Sequence, residues 1–282
     1  MLAETAYAKI NLALHVRGRR ADGYHDIESL FAFAEEGDTL TAAVRKDGIV
    51  SLSIDGSFAK ELETGPDNLV LRAAELLKRR YGVIFGADIT LTKNLPVAAG
   101  IGGGSADAAA ALRLLTRLWE IGSDAEDKTL LQIAAELGSD VPACLVSRTL
   151  MGTGRGVALE PRAMPDLSGT PLLLVNPRRG LSTPLVFSCW DGQDRGPLQA
   201  DNLDQIVSEG RNDLQPPAIT LLPEIGDVLA VLDGLDGVRL ARMSGSGATC
   251  FALLKDDAAL AYAAAALVDL RPHWWVMTSR VR

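Results

Sequence analysis

The chain has little of what builds metal and disulfide centres: among 282 residues there are three cysteines and three histidines. Cys144, Cys189 and Cys250 are odd in number and far apart, so they offer neither a disulfide framework nor a metal knuckle and suit a reduced compartment. His15, His25 and His273 leave a structural zinc site almost without ligands, so a metal, if one is used, is expected to be Mg²⁺ held by oxygens. Positive charge is also scarce. With 28 Lys and Arg against 36 Asp and Glu the formal net charge is −8, which leaves no footprint for a polyanion and argues against nucleic acid or an anionic membrane. A long apolar run is missing too: the longest weakly polar stretch, 258–268, is alanine-rich and shorter than a membrane span, and the N-terminus does not open on a basic segment followed by an apolar one. These absences point to a soluble cytoplasmic protein, and the expectation is a monomer or weak dimer that acts on a small molecule.

What the chain does have is glycine in one place. Pro96-Val97-Ala98-Ala99-Gly100-Ile101-Gly102-Gly103-Gly104-Ser105-Ala106-Asp107 runs straight into an Ala/Leu-rich segment, Ala108 to Leu115. Four glycines in five positions cannot pack a core; they let a ligand approach the backbone, and the helix behind them turns its unpaired N–H groups toward that ligand. This is the chemistry of a phosphate seat. A Walker loop would need a lysine and Ser/Thr directly after the last glycine, and Ser105 follows Gly104 with no lysine between. A dinucleotide crevice would need a strand after the glycine-opened helix, whereas 127–137 has Leu130, Leu131, Ile133, Ala134 and Leu137 at helical spacing. A glycine turn used only for close packing stays open as the plain alternative.

In residues 6–16, Ala6, Ala8, Ile10, Leu12, Leu14 and Val16 form one face of a strand, and Tyr7, Lys9, Asn11, Ala13 and His15 the other. Lys9 and Asn11 therefore project to the same side about 7 Å apart. They are either a cation and an amide sharing a site or the solvated face of an edge strand. After the basic turn 17–23, Tyr24 and His25 open an extended run to Phe33; they could stack on and hydrogen-bond a flat heterocycle, or simply be a strand-end aromatic and a surface imidazole. The pattern predicts a hairpin at 39–54 around Lys46-Asp47-Gly48, a helix at 69–81 capped by Asp67-Asn68 and ended by Gly82, and a strand at 88–93. Asp140, in Gly138-Ser139-Asp140-Val141-Pro142, is either the cap of a short helix or the carboxylate that a phosphate seat needs to orient an attacking hydroxyl. Beyond the passage 152–171 the order of elements is β-α-β-β-α-β with extra helices in the first crossover, a ferredoxin-like arrangement. The fold class is α+β in two domains, 1–155 and 156–282. The turn Gly245-Ser246-Gly247 is a hairpin turn or a second wall for the phosphate seat.

Three separated motifs, the strand Lys9-Ile-Asn-Leu-Ala-Leu14, the glycine stretch from Pro96, and Met243-Ser-Gly-Ser-Gly-Ala-Thr249, resemble the signature of the GHMP small-molecule kinase superfamily. That resemblance implies an N-terminal domain like domain 2 of ribosomal protein S5, a ferredoxin-like C-terminal domain, and ATP with Mg²⁺ as co-substrate and ion. It also implies a catalytic pair, Lys9 and Asp140, and ATP-phosphate contacts from Pro96, Val97, Ala98, Ala99, Gly100, Ile101, Gly102, Gly103, Gly104, Ser105 and Ala106, with adenine near Asn68 and Lys93. Residues 18–25 and 138–142 are similar to the branch whose acceptor is a cytidine diphosphate-linked methylerythritol of non-mevalonate isoprenoid synthesis. In that branch the cytidine contacts fall on Asn11, Tyr24 and His25, and Thr183 lies near the methylerythritol end. A kinase for another small alcohol, such as mevalonate or a sugar, and a non-catalytic nucleotide-binding protein are the alternatives.

Overall fold

The N-terminal alternation extends into a long strand, β1 (Leu2–Arg19), in a computed structural model that describes residues 1–122, 124–199 and 201–282. Both of its faces are buried around the middle: Ile10, Leu12 and Val16 on one side, Lys9, Asn11 and His15 on the other. β2 (His25–Arg45) is longer still. Two compact units arise, one from Met1–Ala8, Glu36–Val97 and Gly102–Ser147, the other from Lys9–Glu35, Ala98–Ile101 and Arg148–Arg282. Each of β1 and β2 supplies residues to both.

In the first unit the hairpin expected at 39–54 does not form. Residues 39–45 of β2 pair antiparallel with β4 (Gly86–Thr92), and β3 (Val50–Asp55) pairs parallel with the other edge of β4. The reason lies in the connection: α1 (Leu69–Tyr81) gives the chain between β3 and β4 the length that a parallel crossover needs, so β4 takes the place a hairpin partner would have filled. Helix α1 keeps its predicted ends, with the Asn68 side chain accepting from the Val70 N–H at 2.9 Å and Gly82 closing it in the left-handed region at φ +67°. α2 (Gly103–Leu118) is buried along most of its length by alanines 106 and 108–111 and by Leu112, Leu114 and Leu115. It packs against α1, α3 (Lys128–Leu137) and α4 (Val141–Val146).

In the second unit a hairpin of β5 (Leu150–Gly154) and β6 (Ala158–Pro161) pairs with residues 27–31 of β2. The expected ferredoxin-like order follows. β7 (Pro171–Asn176) leads through α5 (Thr183–Ser188), α6 (Leu203–Ser208), α7 (Gln215–Leu221) and α8 (Glu224–Asp233) to β8 (Val238–Met243) and β9 (Cys250–Leu254). α9 (Asp257–Leu270) and β10 (Trp275–Arg280) complete it, and the strands lie antiparallel in the order β10-β7-β9-β8. Leu173, Val175, Ala252 and Leu254 face Ile225, Val228 and Leu232 of α8 and Ala263 and Leu267 of α9 across one apolar core. No helix among the described residues is long and apolar enough to cross a membrane.

Candidate active site

In the first unit the glycine stretch leads directly into α2. Gly102 stands before the helix at φ +64° and no side chain caps it. The first helical hydrogen bond runs from the Ala106 N–H to the Gly102 carbonyl at 2.8 Å, so the amides of Gly103, Gly104 and Ser105 precede the helical ladder. Gly104 is exposed, and a Cβ built on it would meet only Leu69 at 3.6 Å. Nothing inside the protein demands glycine there; the missing side chain leaves room for an outside group against the backbone. These amides, at the positive end of a 16-residue helix, suit phosphate oxygens.

Lys93 follows directly on β4, the strand that feeds this stretch, and it is 1% exposed. Its ammonium donates to Asp38 Oδ2 at 2.5 Å and Asp107 Oδ2 at 2.6 Å, so its charge is committed inside the unit. Asn68, besides capping α1, donates from Nδ2 to the Glu63 carbonyl at 2.9 Å. Asp140 is half-buried just before α4. Its carboxylate makes no capping hydrogen bond, which removes the local reason for an aspartate at this position.

In the second unit residues 98–101 lie against the turn after β8. Ser244 Oγ donates to the Gly100 carbonyl at 2.9 Å, and the Thr249 N–H donates to the Ala99 carbonyl at 3.1 Å. A Cβ on Gly100 would stand 2.5 Å from the Ser244 carbonyl oxygen, and at φ +76° only glycine sits without strain. Ser244 Oγ also accepts from the Asn11 N–H at 3.1 Å. Lys9, 4% exposed, donates to Asn11 Oδ1 at 3.1 Å and lies 4.6 Å from the Phe31 ring centroid. Asn11 Nδ2 donates to Ser29 Oγ at 2.8 Å, and that hydroxyl donates in turn to the Ala13 carbonyl at 2.8 Å. Lys9 and Asn11 are thus a partnered, buried pair and not the wet face of an edge strand.

His25 packs against two rings that the sequence reading passed over. Phe187 is 5.0 Å away between centroids at a 35° tilt, and Trp190 is 5.7 Å away edge-on. Their spacing of three residues in and just after α5 was the signal that could have found them. His25 Nε2 is buried and has no hydrogen-bond partner among the described residues. Burial, and then the charge of Arg19, lower the pKa of His25, which favours neutral imidazole. Tyr24 is 54% exposed with the Arg155 guanidinium 3.5 Å from its ring centroid. Thr183 Oγ1 and Ser246 Oγ share a hydrogen bond of 2.7 Å. The arginines of the 17–20 turn are less available than their sequence suggests: Arg17 is paired with Glu28 and Asp194, Arg20 with Asp22 and Asp26. Arg19 donates to the carbonyls of Ser188 and Trp190.

Among the described residues no group of three or more His, Cys, Asp or Glu could hold a metal by itself. The open amide N–H groups suit phosphate oxygens and not a cation, and Ser105 offers the hydroxyl of this stretch to a divalent ion arriving with those phosphates.

Two family models match the chain, the GHMP kinases N terminal domain over residues 68–148 and the GHMP kinases C terminal domain over 198–269. A protein of Rhizorhabdus wittichii named 4-diphosphocytidyl-2-C-methyl-D-erythritol kinase is 54% identical, covering 99% of this chain and 94% of its own. One of the same name from Sphingopyxis alaskensis is 51% identical over 100% and 99%. A crystal structure of 4-(cytidine 5'-diphospho)-2C-methyl-D-erythritol kinase superposes with a TM-score of 0.82 at 33% identity, covering 99% of each chain. A homoserine kinase from Cytophaga hutchinsonii, at 18% identity and a TM-score of 0.72 over 98% of this chain and 95% of its own, shares the fold.

Proposed function

This chain belongs to the GHMP kinases, and on that premise we propose that it transfers the γ-phosphoryl group of ATP to the 2-hydroxyl of 4-diphosphocytidyl-2-C-methyl-D-erythritol. The observation that carries the choice of acceptor is the buried, unpartnered Nε2 of His25 among the rings of Phe187 and Trp190. A buried polar atom with no internal partner is costly unless something supplies one, and a cytosine edge offers both donor and acceptor. Tyr24, exposed beside it, gives a face on which a base can stack. A plain alcohol such as mevalonate would use neither. The close relatives named for this substrate support the same choice.

In this reading the amides of Gly103, Gly104 and Ser105 hold the transferring phosphates, with their neighbours in the glycine stretch of the same unit shaping the cradle and Asn68 near the adenine. A Mg²⁺ arriving with ATP would be held at Ser105 and would supply neutralisation of the phosphate charge. Asp140 orients the acceptor hydroxyl and takes its proton, and Lys9 serves the same transfer as a cation. Asn11 fixes Lys9, and Thr183 lies toward the methylerythritol end. Positioning in place of a covalent phosphoenzyme does most of the work. The enzyme acts in the cytoplasm as a monomer or weak dimer. The test is purified protein with ATP, Mg²⁺ and a panel of cytidylylated and simple alcohols, scored for ADP and for a new phosphomonoester by ³¹P NMR. Turnover confined to the cytidine-linked acceptor is expected; equal turnover on mevalonate or a sugar would contradict the reading.

A further inference from the structure

The first unit buries three charges whose roles in phosphoryl transfer are not accounted for by contact with either substrate. Asp38, Lys93 and Asp107 are 0%, 1% and 3% exposed. Taking three charges out of water is costly, and apolar residues of similar volume would hold the fold as well, so the cluster needs a reason beyond stability. Its hydrogen bonds supply one. Asp38 Oδ1 accepts from the Asn94 N–H at 2.6 Å and the Leu95 N–H at 2.8 Å, the two residues that lead into Pro96. Asp38 Oδ2 and Asp107 Oδ2 share the Lys93 ammonium, and Asp107 lies one turn into α2. One carboxylate holds the entry to the glycine stretch, the other holds its exit, and a single ammonium ties them.

The ammonium also sets a height. A Cβ on Gly103 would lie 3.1 Å from Lys93 Nζ, so the first residue of α2 rests directly on the charge. Lys93 is itself fixed: its N–H donates to the Asp55 carbonyl at 2.7 Å, and its carbonyl accepts from the Phe58 N–H at 3.1 Å. Burial, against the pull of Lys93, pushes Asp107 up to about 7, and the two carboxylates outweigh the opposing effect of burial on Lys93 and raise its pKa.

We infer that Asp38, Lys93 and Asp107 are positioning residues for the ATP phosphates: they clamp both stems of the glycine stretch and hold the amides of Gly103, Gly104 and Ser105 at phosphate distance without touching the nucleotide. This rests on the kinase reading and goes beyond it, because it gives Lys93 a role beneath the cradle. Asp107→Asn and Asp38→Asn keep the volume and one acceptor while loosening the ammonium. Each is expected to raise the dissociation constant for a non-hydrolysable ATP analogue by about tenfold or more, with KM for ATP rising in step and KM for the acceptor within about twofold of the parent. A defect of folding alone would lower the active fraction and leave both KM values where they were. Lys93→Met strands two buried acids and puts folding itself at risk, so the two Asn variants carry the test. Unchanged analogue affinity in both, or a loss shared equally by the two substrates, overturns the clamp. A parental protein that does not bind the analogue overturns the phosphate seat and the clamp together.

Discussion

Lys93 and Lys9 are both withdrawn from solvent, at 1% and 4% exposure, yet the groups that receive their ammoniums differ. In the first unit Lys93 sits between two carboxylates, each at 2.6 Å or closer, and one of them spends its second oxygen on backbone amides. In the second unit Lys9 meets an amide oxygen at 3.1 Å and the face of Phe31, and that amide is held in turn by Ser29. An ammonium bonded by short contacts to two fixed carboxylates is a structural tie. Around Lys9 the Asn11 amide and the Phe31 ring fix the direction of the ammonium without adding a charge of their own. The difference teaches that burial of a charge does not distinguish scaffolding from chemistry; the partners do.

The comparison can be broken most sharply at the proposed catalytic residues. Asp140→Asn and Lys9→Met are each expected to lower kcat by roughly 10²- to 10⁴-fold while the ATP analogue binds nearly as before, read by steady-state kinetics beside a binding titration. Turnover of Asp140→Asn at the parental rate would remove that residue from the mechanism. Lys93→Met is expected to do the reverse, costing about 3–5 kcal/mol of unfolding free energy in a denaturant titration. If Lys93→Met kept its stability and Lys9→Met lost it, the two lysines would have been read the wrong way round.

Smaller effects sharpen the second unit. Removing both rings with Tyr24→Ala and His25→Ala should weaken the cytidine-linked acceptor by about 10- to 100-fold, the value of one stacked base, and leave KM for ATP alone. The pH dependence has a definite sign. Because burial and Arg19 lower the pKa of His25, its neutral form persists below the usual value of about 6.5, so acceptor KM should be flat above that pH and rise only in more acid solution. The smallest change belongs to the cap: Asn68→Ala should cost about 1 kcal/mol of stability, seen as a modest fall in melting temperature.

Much of this was legible locally. Helix α1 follows from Asn68 and Gly82, because caps and periodicity are written within a few residues. The antiparallel four-strand order came from the sequence of elements. What could not be read was pairing at long range. Asp47-Gly48 signals a turn, and Asp47 does accept from the Ile49 N–H at 3.0 Å, but whether the next strand pairs with β2 or with β4 depends on α1, a crossover some twenty residues on. The tie between Lys93 and Asp38 spans 55 residues and has no local mark at either end. The resemblance named Lys93 for a nucleotide contact, and only coordinates could reveal that its charge points into the protein. Phe187 and Trp190 were readable as a helical spacing, but their relation to His25 joins residues more than 160 positions apart.

With three histidines in the chain, the imidazole signals are few enough to follow one by one in a proton NMR titration. If His25 reads the cytosine edge, CDP and the cytidine-linked acceptor will shift its ring protons and leave those of His273 in place, and ADP will leave His25 unmoved. A His25 signal that moves with ADP and ignores CDP would contradict the assignment of the acceptor at its root.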